Sequence, residues 1–167
     1  TSAAKVLLVN RPVMARNDPE SYGWIRALTE SHIPFDEMKL AELKPELLHR
    51  WDVVILADLK KLTQEQAEMF DTYAEQGGTV LSTGILPELR CLGICEVRNS
   101  WKDRMSSVFQ LCEAEKTLFP RSAEAHYIAP GAILNEVVFC EQTQTCLHLI
   151  PEHPFGPPER CYYTEVS

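Results

Sequence analysis

No apolar run in this chain approaches the roughly 18 residues that a membrane-spanning helix requires, so the chain by itself is not a membrane protein. Clusters of Lys and Arg are missing as well. The 16 basic residues are outnumbered by 24 acidic ones, for a formal net charge of -8. The sequence-independent part of nucleic-acid affinity comes from clustered cations, so a nucleic-acid partner is not expected. The cysteines do not form two CxxC pairs: Cys91 and Cys95 are four residues apart and Cys140 and Cys146 six apart, so neither a structural zinc nor another metal is expected. There is no internal repeat and no heptad pattern. No basic n-region followed by an apolar h-region opens the sequence, so no signal peptide is visible.

What is present is a chain of 167 residues, 45% hydrophobic, which is enough for one domain with a real core and too little for two ordinary ones. The reading is a single domain over residues 1–167, open to being a piece excised from a longer chain. Six cysteines in a chain of this length do not make a disulfide scaffold, so reduced thiols are expected, and with them a cytoplasmic location.

The organising stretch is residues 51–84, which reads as strand, loop, helix, Gly-Gly turn and strand. Val53-Val54-Ile55-Leu56 is a continuous, β-branched apolar run, as expected of a parallel strand buried on both faces. Thr63 followed by Gln66 makes a capping box, and Ala67, Phe70 and Ala74 give one apolar helical face. Gly77-Gly78 then stops the helix, because glycine takes the left-handed position without a Cβ penalty. Upstream, residues 5–10 read as a first, central strand. A helix follows Asn17-Asp18-Pro19 and presents Trp24, Ile25 and Leu28. Residues 35–40 read as a shorter strand, and 41–50 as a short helix interrupted near its start by Pro45. The alternation predicts a three-layer α/β fold, flavodoxin-like in strand order and mostly parallel.

Downstream the pattern is less regular. A helical turn is expected within 87–92, a strand at 107–111, irregular connection at 118–131, and strands at 133–140 and 145–150. The polar Glu141-Gln142-Thr143-Gln144 between the last two suggests an antiparallel hairpin at one sheet edge. Residues 151–158 hold four prolines, so 151–167 reads as an extended tail.

Sites of open α/β sheets lie at the carboxyl ends of strands, which makes Asn10, Arg11, Asp58 and Gly84 the candidate ligand-binding residues. A phosphoacceptor receiver would need acidic residues after the first strand, where Asn10 and Arg11 stand. A flavodoxin would need a Ser/Thr-rich phosphate loop there, and RPVMARNDP has none.

Residues 52–84, DVVILADLKKLTQEQAEMFDTYAEQGGTVLSTG, resemble class I glutamine-amidotransferase-like domains of the β-galactosidase trimerisation type, which are accessory domains of glycoside hydrolases. The likeness extends over residues 5–84; Leu92-Gly93 and Pro157-Pro158-Glu159 are similar to other segments of those domains. In true amidotransferases a strained elbow, G-x-C-x-G, presents a nucleophilic Cys, because the turn exposes the thiol and aims backbone N–H groups at the oxyanion. Here Gly84 falls at the Cys position, and His126, His148 and His153 offer no H-x-E. The resemblance therefore implies an accessory or assembly domain without catalytic residues or cofactor. Its partners would be other domains of a parent hydrolase, sister copies of the chain, or both. The candidate contact residues are Trp101, Arg104, Phe155, Glu159, Arg160 and Tyr162, of types that dominate interface energies.

Two alternatives stay open: a hydrolase using one of the cysteines, and a sugar-binding module using a Trp and Asp58. Against them, Cys91 and Cys95 read as small buried hydrophobes, since a reactive thiol needs a partner that lowers its pKa. Asp58 reads as a loop or turn residue. Trp24, Trp51 and Trp101 read as core or interface anchors.

Overall fold

The computed structural model describes residues 4–10, 18–101, 108–111, 134–140, 143 and 147–150, with only the backbone described at 99–101, 108–111, 134 and 147–150. The chain divides into two compact units, residues 1–100 with 135–141, and residues 101–134 with 142–167.

The first unit is built on four parallel strands: β1 (Val6–Asn10), β2 (Phe35–Lys39), β3 (Val53–Ala57) and β4 (Thr79–Thr83), in the order β2-β1-β3-β4. The register aligns Val6 with Phe35 and with Val53, and Val53 with Thr79. β1 and β3 are the inner strands, as their apolar runs require, and the order is that of the expected flavodoxin-like α/β fold. Successive residues of these strands face opposite layers. Leu7, Val9, Val54 and Leu56 pack with Leu48, Met69, Phe70 and Tyr73 on one side, while Leu8, Ile55 and Ala57 pack with Leu28 on the other, against Trp24 and Ile25. The first face carries α2 (Pro45–Leu48) and α3 (Gln64–Glu75), and the second α1 (Pro19–Glu30). Right-handed crossovers account for this division: the chain leaves β1 toward β2 in one direction and β3 toward β4 in the other, which places α1 and α3 on opposite faces.

Local chemistry sets the helix ends. Asp18 caps α1, accepting from the Glu20 N–H at 3.2 Å and the Ser21 hydroxyl at 2.9 Å, with Pro19 in the first turn. Thr63 and Gln66 close the capping box of α3. At its other end, the Gly77 N–H donates to Ala74 C=O at 2.9 Å and the Gly78 N–H to Tyr73 C=O at 3.0 Å, a Schellman motif with Gly77 at φ 97°. The Tyr73 ring lies where a Cβ on Gly78 would stand, so both glycines are required, each for its own reason. The helix expected over 41–50 is instead a 3₁₀ turn at Leu40–Glu42 followed by one α-turn that begins at Pro45. Proline lacks an N–H and therefore fits the first turn of a helix, where none is needed, so it starts this helix and does not interrupt it. A second 3₁₀ turn, Arg90–Leu92, lies within the expected 87–92.

The remaining strands correct the expected hairpin. β5 (Ile94–Trp101) pairs with β7 (Leu134–Phe139), and, in the second unit, β6 (Val108–Leu111) pairs antiparallel with β8 (Leu147–Ile150), Val108 opposite Ile150. β7 and β8 are thus not partners. The Cys140 N–H donates to Gly93 C=O at 2.9 Å and Cys140 is disulfide-bonded to Cys95, so the end of β7 is fastened beside the start of β5. This bond also corrects the expectation of reduced thiols, which among the described residues holds for Cys91 alone. The irregular connection expected at 118–131 and the tail at 151–167 lie outside the described residues.

Candidate functional site

The carboxyl ends of the strands are closed by a set of internal hydrogen bonds. Asp58 follows β3 in the left-handed conformation, φ 52°, which short polar side chains adopt more readily than others. It is buried; its N–H donates to Thr83 C=O and its Oδ1 accepts from the Ile85 N–H, both at 2.8 Å, which ties the loop after β3 to the loop after β4. Asp58 thus occupies a turn and joins two loops through its own hydrogen bonds.

Gly84, at φ 76°, lies directly against it. A Cβ on Gly84 would stand 2.9 Å from Asp58 Cβ and 3.0 Å from Glu20 Cγ, so this position has neither the backbone freedom nor the space for a side chain. Asn135 of β7 completes the closure: its Nδ2 donates to Gly84 C=O at 2.8 Å and its Oδ1 accepts from the Leu86 N–H at 3.4 Å. No sequence signal marked Asn135, because its role depends on β7 crossing to β5. Trp24 donates from Nε1 to Thr83 Oγ1 at 2.8 Å, and Trp51 is buried and donates to Asp36 at 2.8 Å, so both indoles act as anchors.

Asn10 is buried at the end of β1, where its Nδ2 donates to Glu37 at 2.9 Å and its Oδ1 has no hydrogen-bond partner among the described residues. Arg11 lies outside the described residues, as do Arg104, Phe155, Glu159, Arg160 and Tyr162. Trp101 ends β5, and its side chain is outside the description too. Of the four candidate ligand residues the structure thus brings Asp58 and Gly84 into contact and sets Asn10 at the end of a nearby strand.

Neither cysteine of the 91–95 pair is arranged as a nucleophile. Cys95 is in the disulfide. Burial, and then the neighbouring Asp71 carboxylate, push the Cys91 thiol up to about 12. Asp71 itself is buried and accepts from the Cys91 N–H at 2.9 Å and from Arg90 Nε at 3.2 Å, locking the 3₁₀ turn to α3.

Beyond this closure a cavity of about 710 Å³ opens at the same end of the sheet, lined by the loop after β3 (Lys60, Lys61, Leu62), the start of α3 (Thr63, Gln64, Ala67), the loop after β4 (Ile85, Leu86, Glu88) and β5 (Val97, Arg98). Sequence reasoning missed it because Lys60-Lys61 alone is an unremarkable pair and Arg98, which joins them in the lining, is remote along the chain. Among the described residues no group of three His, Cys, Asp or Glu is placed to hold a metal ion, and no helix is long and apolar enough to cross a membrane.

Fold and strand-end closure together define a flavodoxin-like α/β domain in which the glycine after β4 is locked against the aspartate after β3. No family model matches the chain, and no curated protein matches it by sequence. Among solved structures it is similar to alpha-L-fucosidase isoenzyme 2 from Paenibacillus thiaminolyticus, with a TM-score of 0.64 and 18% identity over 94% of this chain and 24% of that one. It is also similar to Gan42B, a GH42 beta-galactosidase, with a TM-score of 0.57 and 12% identity over 83% of this chain and 22% of that one. The likeness is one of fold, and the chain spans about a quarter of the length of either protein.

Proposed function

We propose that this chain is a non-catalytic accessory domain of a carbohydrate-active hydrolase, acting through contacts with a catalytic domain or with sister subunits. The observation that carries this reading is Gly84: the position at which the resembling amidotransferases hold their nucleophile is filled by the Asp58 and Glu20 side chains and has no room for one. The shared fold with segments of two larger glycoside hydrolases supports the parent's class. The raised pKa of Cys91 and the disulfide at Cys95 weigh against the cysteine-hydrolase alternative.

In this reading Asp58 and Gly84 close the strand ends, neither they nor Asn10 and Arg11 turn over a substrate, and Trp101, Arg104 and the 151–167 tail with Phe155, Glu159, Arg160 and Tyr162 supply contact surface. Tyr, Trp and Arg dominate interface energies, and prolines lower the entropy lost when an extended tail docks. Sedimentation of the chain, with and without residues 151–167, tests it. Concentration-dependent self-association that weakens on truncation, with no hydrolysis of glutamine or of aryl glycosides, is the expected result. A strict monomer at high concentration that hydrolyses either substrate would overturn it.

A further inference from the structure

The cavity above the strand ends has a charge opposite to that of the chain. Among the described residues three cations, Lys60, Lys61 and Arg98, line it against one carboxylate, Glu88, in a protein of formal net charge -8. Lys60 and Lys61 have no ion-pair partner among the described residues, and Arg98 reaches Glu96 only through Nε, at 3.6 Å, which leaves its terminal nitrogens to donate elsewhere. Two mobile lysines alone would make a solvated surface. Here, however, the walls that carry them are fixed: Asp58 ties one loop to the next at Ile85, Asn135 holds both Gly84 and Leu86, and the disulfide fastens the start of β5, the strand that carries Arg98, to Cys140 just beyond β7. Cross-tied walls lower the ordering cost of binding.

We propose that this cavity binds an anionic saccharide, a sugar bearing a carboxylate or a sulfate ester. The anion follows from the cations; the sugar rests on the accessory-domain reading above and on the rest of the lining. A volume of about 710 Å³ is far larger than a lone inorganic ion needs and is within the range of small organic ligands. Leu62, Ala67, Ile85 and Val97 offer an apolar floor for the C–H face of a pyranose, and Thr63 and Gln64 offer polar partners for its hydroxyls. Among the described residues the lining includes no aromatic ring, and the recognition proposed here is led by charge and not by stacking.

Titration calorimetry on the full chain tests the proposal, with galacturonate, galactose 6-sulfate, galactose, inorganic sulfate and a hexaglutamate peptide as probes. One or both acidic sugars should bind at least about tenfold more tightly than galactose and than inorganic sulfate, with an affinity that falls as salt rises. Lys60→Ala combined with Lys61→Ala, and separately Arg98→Ala, should weaken that binding by about tenfold or more, while the control Lys44→Ala leaves it unchanged; an unaltered melting temperature confirms that each variant is folded. Equal binding of galactose, equal binding of inorganic sulfate, tighter binding of the peptide, or no heat with any probe would each overturn it. Self-association of the chain is measured separately, and the contact residues proposed for it are other than these, so failure here is distinguishable from failure of the accessory-domain reading.

Discussion

Cys91 shows how a thiol is kept inert. Ionising it would place a negative charge in a half-buried site beside the Asp71 carboxylate, so the thiol pKa rises from 9.0 to about 12. Alkylation by iodoacetamide at pH 8 should therefore run at least about tenfold slower at Cys91 than at a free thiol, and a rate equal to or faster than free thiol would refute the assignment. The sign for stability follows: the folded state holds the proton more tightly, so the contribution is fully present below pH 9 and is lost as pH rises from there through about 12. At this scale the sequence was partly legible. That Asp58 and Gly84 lie at the carboxyl ends of β3 and β4 is legible because the apolar runs before them mark where those strands stop. Cys95 was read wrongly as a buried hydrophobe, because its partner Cys140 is 45 residues away and nothing local marks the pairing. Arg98 joins the adjacent Lys60 and Lys61 only in space, so this grouping of charge has no local signature either.

At the scale of elements, β3, α3 and β4 were readable because each carries its own signal: a continuous apolar run, a capping box, and a Gly-Gly stop completed by a Schellman motif. β5 carries none. Its buried Ile94 and partly buried Val97 are three residues apart, which breaks strand alternation, and the exposed Cys95, Glu96 and Arg98 make the stretch resemble a loop. What holds it as a strand is long-range, namely its pairing with β7 and the Cys95–Cys140 bond. The disulfide spans a separation of 45 residues, for which the chain-entropy model gives about 4 kcal/mol. Reduction, or Cys95→Ser, should lower the unfolding free energy by about 2–4 kcal/mol in urea titrations run with and without reductant. An unchanged midpoint under reducing conditions would mean that the bond does not constrain this chain in solution.

Across the whole molecule, stability should be graded by position in the sheet. In a parallel sheet each residue directs its N–H and C=O to the same side and the next residue directs them to the other, so an inner strand has every amide bonded and an edge strand only alternate ones. β1 and β3 are inner strands, and Leu7, Leu8, Val9, Val54 and Leu56 are fully buried there, whereas β4 ends the four-stranded order and exposes Leu81 by 41%. Hydrogen exchange should therefore find the slowest amides as consecutive runs within residues 6–9 and 54–57, opening only with global unfolding, and should find fast and slow amides alternating along 79–83. Residue-resolved exchange by nuclear magnetic resonance makes this measurable. If 79–83 were protected at every residue, a further strand would have to lie beside β4; if β1 exchanged faster than β4, the buried centre would not be the stable one, and the three-layer argument built on the apolar runs of β1 and β3 would fail.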